Sequence, residues 1–349
     1  MKRNLLEMSR RVYDVCVVGG GVYGACIAWD ASLRGLSVAL IEKGDFGHAT
    51  SSKTLRVIHG GFRYLQHLDL LRVRRAIRER AVWMRIAPHL VHPLPVVVPT
   101  YRSLTRGRNA FRLALKVNDL IGWDRNRLGN RDRIIPAGRL ISKSELLRLA
   151  PRIDCRGVTG GALWFDCQMR NSERLILSIL QSAVQAGADV ANYVEATASL
   201  DDGEGLRRVE ARDVLGDGRF AIRARLVVEA CGPWLGKLWE GENGARRPLR
   251  GRWLKAMNLV TKPLVDQCAL GLWLGPRADG AGESRFVFIA PWHGHSLVGT
   301  TQAPYDGDPD CLAVGEQEID EFMGQVNSLF DGGGLAREDI RFVHAGIVP

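Results

Sequence analysis

The sequence predicts an α/β fold, mixed α+β overall, in which a doubly wound domain with a parallel sheet is interleaved with an antiparallel-sheet domain. Three observations predict it: a strand–helix–strand unit near the N-terminus, a glycine-rich turn inside that unit, and strand patterns that dominate from Leu254 onward. The 349 residues, 46% of them hydrophobic, can form more than one core. We expect residues 10–85 and 170–240 to form the first domain, and residues 86–169 and 241–349 the second.

The N-terminal unit has the pattern of a strand, a helix and a second strand. Residues 13–19 read YDVCVVG, a β-branched run that ends at glycine and predicts a short buried strand. A helix is predicted from Gly24 to Leu33, with Gly35 as its C-terminal cap, and a strand from Leu36 to Glu42. The unit is about 30 residues long, which is the size of one dinucleotide-binding βαβ unit.

Later elements are predicted from helical spacing and turn residues. Leu70 to Ile86 has apolar residues at helical spacing and predicts an amphipathic helix, and a second helix is predicted between Asn171 and Gly187. Residues 102–139 are polar and basic, and we expect them to leave the core domain as part helix, part loop. Further strands are predicted at Val190–Val194, Val209–Val214, Phe220–Ile222, Leu226–Val228, Asn258–Val260, Phe286–Ile289 and Ser296–Val298, and a helix at Glu316–Leu329.

Composition limits the classes of function. The sequence has no run of about 18 apolar residues, and its N-terminus lacks the apolar segment of a signal peptide, so we expect a cytoplasmic protein. The seven cysteines form no CxxC pair, so neither a disulfide framework nor a metal site is expected, and His293 and His295 are interpreted as a surface turn. The net charge of +10 is concentrated between Arg72 and Arg139. This basic segment has no nucleic-acid motif and indicates either a solvated surface or contact with an anionic membrane face.

The glycine-rich turn reads Gly19-Gly20-Gly21-Val22-Tyr23-Gly24 and contains a GxGxxG motif. In this motif the first glycine permits a tight turn, the second lets the backbone approach a pyrophosphate, and the third allows close packing of the helix on the strand. The helix N-terminus adds amide donors for the phosphates. Glu42 ends the second strand and can accept hydrogen bonds from ribose hydroxyls, which disfavours NADP although Lys43 follows it. The motif predicts a dinucleotide site and does not separate NAD from FAD.

Beyond this motif the chain resembles the FAD-dependent glycerol-3-phosphate dehydrogenases, within the D-amino-acid-oxidase-like flavoproteins. The matching residues run nearly end to end, and they are Val18 to Gly35, Thr50-Ser51-Ser52, Val57 to Leu65, Ala87-Pro88-His89-Leu90, Gly232-Pro233-Trp234, Pro291-Trp292, Gly299-Thr300-Thr301 and Gly307-Asp308-Pro309. Cys26 departs from the first signature, where the family has glycine. The resemblance implies FAD as the cofactor and a Rossmann-type FAD-binding domain interleaved with a substrate domain.

The resemblance also implies which residues contact FAD. The hydroxyls of the Thr50-Ser51-Ser52 segment would donate to the diphosphate or the flavin side, and Val194 would present its backbone to adenine. Ala230 and Gly232 would form a second close backbone approach, where small residues are needed. The predicted cofactor residues are Gly19, Gly20, Gly21, Tyr23, Gly24, Glu42, Lys43, Thr50, Ser51, Ser52, Gly60, Gly61, Val194, Ala230 and Gly232.

The implied chemistry is the oxidation of a CH–OH group by hydride transfer to flavin, after which electrons pass to a quinone-type acceptor. Arg63 and Tyr64 match residues of the family's substrate pocket, where Arg63 would hold an anionic group and Tyr64 would orient the reacting hydroxyl. His59 lies on the loop expected near the flavin and would act as a proton acceptor or as a structural hydrogen-bonding residue. Asn258 stands where the family has a pocket histidine, and an amide cannot act as a base near neutral pH.

A second departure bears on the substrate, because Val348 stands where the family has an arginine. The pocket then lacks a phosphate clamp as well as a proton acceptor, so the alternatives to glycerol 3-phosphate are another hydroxyl- or amine-bearing substrate, an amine or amino-acid oxidase of the same superfamily, and a truncated, non-catalytic flavoprotein. Family members continue past Pro349, so we expect a fragment or a natural short form. The expected partners are a small-molecule substrate, a quinone or other electron acceptor, and the inner face of the cell membrane as a peripheral contact. The sequence does not determine the oligomeric state and is compatible with a homodimer.

Overall fold

The computed structural model describes residues 1–127, 133–235, 252–274, 286–332 and 334–349. Its strands are β1 Val12–Val18, β2 Val38–Ile41, β3 Val57–Ile58, β4 Val91–Tyr101, β5 Arg139–Ile141, β6 Val158–Met169, β7 Asp189–Ala191, β8 Val194–Gly203, β9 Leu206–Asp213, β10 Arg219–Glu229, β11 Leu254–Thr261, β12 Ala269–Trp273, β13 Phe286–Trp292, β14 His295–Pro304 and β15 Ile340–Val348. Its helices are α1 Leu5–Arg10, α2 Val22–Leu33, α3 Leu70–Ile86, α4 Arg108–Ile121, α5 Lys143–Leu149, α6 Ser172–Gln185 and α7 Glu316–Asn327. Short 3-10 helices lie at Thr50–Ser52, Phe62–His67, Gly232–Trp234, Pro309–Cys311 and Arg337–Asp339.

The first sheet has the strand order β7-β2-β1-β10-β9-β8. Its first four strands are parallel, and β9 and β8 continue it as an antiparallel meander. Every residue of β2 is buried, which is typical of a parallel strand covered on both faces. Helices α2 and α6 cover one face in a shared apolar core, and a second core that includes Met8 and Val209 lies on the other face. This is the predicted doubly wound arrangement.

Two strand predictions for this sheet were wrong. Val190–Val194 was predicted as one strand, but the chain breaks between β7 and β8 because Tyr193 adopts a left-handed conformation with φ of 52°. Phe220–Ile222 and Leu226–Val228 were predicted as separate strands, but β10 runs through both. The charged residues between them did not end the strand, because Arg223 and Arg225 occupy its exposed, alternate positions.

The second sheet has the order β15-β11-β14-β13-β12-β4-β6-β3, with β5 paired to β6. All of its pairings are antiparallel except that of β12 with β4. Strand β4 was not predicted from the sequence, and it contains three prolines, which are unfavourable inside a sheet. Pro93, Pro95 and Pro99 are tolerated because β12 pairs with β4 only at Val96 and Val97, so the proline positions need hydrogen bonds to β6 alone.

The two sheets follow the two predicted domains except at β3. This strand lies within residues 10–85 yet pairs with β6 of the second sheet, so the interleaving includes a crossing strand. Residues of both sheets meet in one apolar core, where Val17 and Leu40 join Val91 and Cys167. The predicted boundary between residues 240 and 241 lies outside the described residues, and the division into domains stays a proposal.

The long helices lie where helical spacing predicted them. The predicted helix Leu70–Ile86 is α3, and the Asp69 side chain caps it by accepting a hydrogen bond from the Arg72 amide. Helix α6 is capped in the same way by Asn171. Helix α4 is the helical part of the basic segment 102–139. None of the helices in the described ranges has the length and apolarity to cross a membrane.

Candidate functional site

The turn between β1 and α2 is closed so tightly that side chains are excluded from it. Gly19 has φ of 112°, and a Cβ built on it would lie 2.5 Å from the carbonyl oxygen of Ala230. A Cβ on Gly24 would lie 1.8 Å from the carbonyl oxygen of Gly19. These two glycines therefore let the start of α2 pack directly on the ends of β1 and β10, as the motif predicts.

The N-terminus of α2 offers backbone amides beside one hydroxyl group. The first amides of a helix have no intrahelical acceptors, and the N-cap Gly21 has no side chain that could accept from them. The Val22 amide donates to Ser51 Oγ at 3.1 Å, and a Cβ on Gly21 would lie 3.1 Å from the same oxygen. Because the Ser51 oxygen accepts here, its own proton remains available to an acceptor such as a phosphate oxygen. The Tyr23 side chain points to solvent.

Glu42 is buried at the end of β2 and is held by backbone amides. Its Oε2 accepts from the Gly20 amide at 2.7 Å, and its Oε1 accepts from the Gly44 amide at 2.9 Å. A carboxylate has further lone pairs, so it can still accept from ribose hydroxyls. The Val194 amide donates to the Glu42 carbonyl at 2.8 Å, which places the start of β8 beside this carboxylate.

Lys43 is directed away from the Glu42 carboxylate. Its Nζ lies 2.8 Å from Asp310 Oδ1 and 3.9 Å from the centre of the Trp234 ring. Trp234 Nε1 donates to the same Asp310 oxygen at 2.8 Å. Lys43, which was predicted to contact the cofactor, therefore joins the Gly232-Pro233-Trp234 segment to the segment that carries Asp310.

The three hydroxyls of the Thr50–Ser52 turn have different partners. Thr50 Oγ1 donates to the Ile347 carbonyl at 3.0 Å, which attaches the turn to β15. Ser52 is buried, and its Oγ donates to the carbonyls of His48 and Ala49. Of the three predicted donors, Ser51 is the one that lies beside the glycine turn.

The second close approach follows β10. The Ala230 amide donates to the Val18 carbonyl at 2.8 Å, and Gly232 has φ of 56°, which favours glycine. Burial, followed by the nearby Glu229 and Glu42 carboxylates, raises the pKa of the intervening Cys231 to about 12. The Cys231 thiol is therefore protonated at neutral pH and is not a nucleophile.

His59 is oriented by a buried carboxylate that the sequence analysis did not identify. His59 Nδ1 lies 3.0 Å from Asp166 Oδ2, and Asp166 Oδ1 accepts from the Gly60 amide at 2.7 Å and from Arg80 at 3.3 Å. Asp166 and Arg80 are 4% and 5% exposed, whereas the His59 side chain is 51% exposed. A Cβ on Gly60 would lie 2.2 Å from an Arg80 nitrogen, so a side chain here would have to displace the Arg80 guanidinium from Asp166.

The charge state of Asp166 follows from these contacts. Burial by itself raises the pKa of this carboxyl, but the hydrogen bond and charge of His59, the charge of Arg80 and the Gly60 amide outweigh burial, and the pKa lies below its ordinary value. Asp166 is therefore ionised at neutral pH and fixes the His59 tautomer that carries a proton on Nδ1. A lone aspartate in the apolar run GGALWFDCQM was the available sequence signal.

Arg63 and Tyr64 lie on the 3-10 helix Phe62–His67 that follows this loop. Arg63 is exposed, and no side chain within the described ranges pairs with it. The Tyr64 ring is covered by the Arg72 guanidinium at 4.2 Å. Neither residue is hydrogen-bonded to His59 or Asn258 in the part of the chain that is described.

Asn258 is 2% exposed, and both ends of its amide are occupied. Its Nδ2 donates to the Lys53 carbonyl at 2.8 Å, and its Oδ1 accepts from Thr300 Oγ1 at 2.7 Å. Asn258 therefore attaches the segment after the Thr50–Ser52 turn to the second sheet. In this position it acts as a positioning residue, and its role as a catalytic residue stays a prediction.

Arg56 attaches the same segment to the start of α6. Its guanidinium is buried and donates to Glu173 Oε2 at 2.7 Å, Glu173 Oε1 at 2.9 Å and Ser172 Oγ at 2.7 Å. Burial raises the pKa of Glu173, but hydrogen bonds from Arg56 and its own backbone amide outweigh burial and lower the pKa to about 2. Glu173 is therefore charged at neutral and mildly acidic pH.

The Arg56–Glu173 pair predicts an acid-sensitive contribution to stability. The folded-state pKa of Glu173 lies below the ordinary value of 4.5, so its contribution is complete above pH 4.5 and is lost as the pH falls towards 2. We expect Glu173→Gln to lower the free energy of unfolding at pH 7 by about 1–3 kcal/mol, because a buried donor loses its partner. Between pH 4.5 and 2 the variant should lose less stability than the wild type.

Urea denaturation at a series of pH values tests this expectation, with Glu338→Gln at an exposed position as the control. The control should follow the wild-type curve. A Glu173→Gln curve that runs parallel to the wild type below pH 4.5 would contradict the assignment.

Together the glycine turn, the carboxylate at the end of β2 and the second approach at Ala230 define a dinucleotide-binding protein. The sequence model of the family described as FAD dependent oxidoreductase matches residues 14–349. The chain therefore belongs to the FAD-dependent oxidoreductases, and the predicted family is confirmed.

Three similar proteins were compared with the chain. A glycerol-3-phosphate dehydrogenase of Synechocystis sp. is 34% identical over 99% of this chain and 62% of its own length. An alpha-glycerophosphate oxidase of Streptococcus pneumoniae is 33% identical over 99% of this chain and 56% of its own length. The structure of a Bacillus halodurans glycerol-3-phosphate dehydrogenase complexed with FAD has a TM-score of 0.73 and 25% identity, and covers 98% of this chain and 58% of that one. The predicted fold class is confirmed, and the chain spans 56–62% of the length of these relatives.

The residues of the glycine turn fit the family's cofactor, FAD. Gly19 and Gly24 allow α2 to start directly against the ends of β1 and β10. The α2 amides and the Ser51 proton can then bind phosphate oxygens, and Glu42 can bind a ribose. When bound, FAD supplies the hydride acceptor. No group of histidine, cysteine, aspartate or glutamate side chains that could hold a metal ion occurs within the described ranges.

Proposed function

We propose that the protein is an FAD-dependent oxidoreductase of the glycerol-3-phosphate dehydrogenase or oxidase type, which oxidises a CH–OH group and passes the electrons to a quinone-type acceptor. The observation that carries this proposal is the His59 imidazole, which is half exposed and is held by buried Asp166 next to the Gly60–Gly61 turn. The similarity to a glycerol-3-phosphate dehydrogenase and an alpha-glycerophosphate oxidase over 99% of the chain supports the same substrate class.

Oxidation of an alcohol to a carbonyl requires a base that accepts the hydroxyl proton, in addition to the hydride acceptor that bound FAD would supply. We assign this proton to His59 Nε2, because Nδ1 is committed to Asp166 and the exposed part of the ring is free to meet a substrate. The negative charge of Asp166 stabilises the imidazolium that forms. Arg80, which is buried against Asp166, also favours the ionised form of that carboxylate.

The exposed Arg63 is assigned to the anionic group of the substrate. It follows His59 by four residues on the same loop, and no described side chain neutralises it. An arginine of this kind can bind a phosphate or carboxylate through two parallel hydrogen bonds. Tyr64 is assigned to orientation of the reacting hydroxyl, since the Arg72 guanidinium holds its ring in place.

The test is an absorbance spectrum of the FAD-loaded protein before and after anaerobic addition of glycerol 3-phosphate. We expect the flavin bands to bleach with glycerol 3-phosphate and to persist with inorganic phosphate alone. Bands that persist with glycerol 3-phosphate but bleach with an amine or amino acid would identify the alternative oxidase. A folded protein that retains no FAD would refute the enzyme assignment. Peroxide release in air, compared with reduction of a soluble quinone, distinguishes the electron acceptors.

We also propose that α4 mediates peripheral contact with an anionic membrane. Leu113 and Leu120 are seven residues apart and share one exposed face, where Leu120 is 75% exposed. Exposed Arg112 and Lys116 lie on the same side of the helix. Trp123 follows the helix and is also exposed. Apolar and basic side chains on one exposed helix are typical of helices that lie in the interface of an anionic bilayer.

Replacing both Leu113 and Leu120 with glutamate should abolish co-sedimentation with phosphatidylglycerol-containing vesicles at low salt, because the change removes apolar area and cancels the net positive charge of α4. Leu215→Glu is the control, since Leu215 is equally exposed on the turn after β9. Binding of the wild type should weaken as salt screens the charges. Wild-type protein that does not sediment with these vesicles, or a double variant that sediments as well as the wild type, contradicts the proposal.

A further inference from the structure

His344 lies in the candidate site although the sequence analysis assigned it no role. It is on β15, directly opposite Asn258 of β11. Residues that face each other across an antiparallel pair share one face of the sheet. On this face the Asn258 amide binds the Lys53 carbonyl, and the Trp292 ring lies 6.3 Å from the His344 ring. His344 therefore faces the segment that links the Thr50–Ser52 turn to His59.

The His344 Nδ1 atom is shielded from solvent, and no described residue hydrogen-bonds to it. A buried polar atom without a partner is unfavourable, and in native structures such atoms commonly await a ligand or water. Burial, followed by the charges of Lys53 and Arg56, lowers the pKa of His344 to about 4, while Glu173 opposes these effects. The imidazole is therefore neutral at neutral pH and has one nitrogen that accepts a hydrogen bond.

The charges around His344 indicate the class of ligand. Arg56 is neutralised by Glu173, but the Lys53 ammonium has no ion pair or hydrogen bond within the described ranges. A neutral imidazole acceptor beside an unpaired ammonium suits a small molecule that carries both a hydroxyl donor and an anionic group. Asn258 is less suited to this role, because it is 2% exposed and its Oδ1 already accepts a hydrogen bond from Thr300 Oγ1.

We propose that His344 is a specificity-determining residue whose Nδ1 accepts a hydrogen bond from a hydroxyl of an anionic polyol substrate, while the nearby Lys53 adds positive charge to this part of the site. This inference rests on the proposed function, because it assumes that an alcohol binds between the Lys53 segment and the second sheet. It assigns to this chain a recognition group on β15, opposite an amide of β11 whose two ends already have protein partners.

The experiment compares wild type, His344→Phe, His344→Gln and the exposed-site control His89→Phe, all loaded with FAD. His344→Phe removes no hydrogen bond, so its melting temperature should equal or exceed that of the wild type. In anaerobic flavin reduction by glycerol 3-phosphate, we expect the half-saturating concentration to rise about tenfold in His344→Phe, which corresponds to one hydrogen bond. The maximal rate should change much less. His344→Gln, which restores an acceptor, should recover part of the affinity.

A second readout does not depend on turnover. In ¹⁵N-histidine-labelled protein whose flavin has been reduced with dithionite, glycerol 3-phosphate can bind without being oxidised. The His344 signal, identified by its absence in His344→Phe, should then shift on addition of glycerol 3-phosphate but not of inorganic phosphate.

The two readouts separate the inference from the proposed function. If the wild-type flavin is not reduced by glycerol 3-phosphate, the proposed function fails, and the histidine signal still decides the inference: a shift supports it and an unchanged signal overturns it. If the flavin is reduced but His344→Phe keeps the wild-type half-saturating concentration and the signal does not move, His344 is not in the substrate site.

Discussion

Gly24→Ala is expected to weaken FAD binding by about 100-fold, or about 3 kcal/mol, which is at the upper end of the cost of overpacking. The added Cβ would lie 1.8 Å from the Gly19 carbonyl oxygen, and a backbone atom cannot rotate away as a flexible side chain can. Relief of the clash requires α2 to move away from β1. This movement separates the α2 amides from the Ser51 hydroxyl, and these groups together form the predicted diphosphate site. Titration of the FAD-free protein with FAD, followed by quenching of flavin fluorescence, measures the effect.

Gly324→Ala is the matched control for this substitution. Gly324 lies inside α7, and a Cβ there would meet no atom within 4 Å. Replacing an unhindered glycine in a helix interior should stabilise the protein by about 0.5–1 kcal/mol and leave FAD affinity unchanged. If Gly24→Ala binds FAD as tightly as Gly324→Ala, the glycine turn is not the phosphate site.

Asp166→Asn is expected to lower the free energy of unfolding by about 3–5 kcal/mol, because it leaves the buried Arg80 charge without a counter-charge. The asparagine keeps the shape of the side chain, but its NH2 group replaces one of the two carboxylate oxygens. In the wild type, one oxygen contacts His59 and the other accepts from Gly60 and Arg80, so at least one of these contacts is lost. Since the pKa of Asp166 lies below its ordinary value, the carboxylate is charged throughout the neutral range, and the deficit should be present at each pH in that range. Urea denaturation at pH 6, 7 and 8 measures it.

Two further variants test this explanation. Asp30→Asn removes an exposed carboxylate from a surface pair with Arg34 and should leave the urea midpoint unchanged. Adding Arg80→Met to Asp166→Asn removes the orphaned charge and should restore part of the lost stability, because apolar residues often replace a buried ion pair at little cost. If the double variant is less stable than Asp166→Asn alone, the uncompensated charge is not the cause.

Asp166→Asn should also affect catalysis if His59 has the proposed role. Without the Asp166 carboxylate, His59 loses the group that fixes its tautomer, so flavin reduction by the substrate should slow while FAD affinity is retained. A variant that loses stability but reduces its flavin at the wild-type rate would show that the carboxylate is structural only.

The sequence by itself determined the local features of this protein. The GxGxxG turn, the acidic end of β2, the bounds of α3 and the start of α6 all depend on residues within a few positions of one another. Glycine spacing, helical periodicity and capping side chains report such short-range requirements directly. The resemblance to FAD-dependent oxidoreductases was visible for the same reason, since its motifs are short and follow one another in order along the chain.

Only the tertiary structure decided which distant residues meet. Asp166 binds His59 across 107 positions, and β15 reaches its place beside β11 after more than 70 residues. Strand β4 could not be predicted locally, because its prolines are unfavourable in most strands. They are tolerated here because β4 has a single partner strand over most of its length, which only the tertiary structure shows. The pairing of His344 with Asn258, and the occupied amide of Asn258, are consequences of sheet register. Register depends on how whole strands bury their apolar faces against each other, so it cannot be predicted from a short segment of sequence.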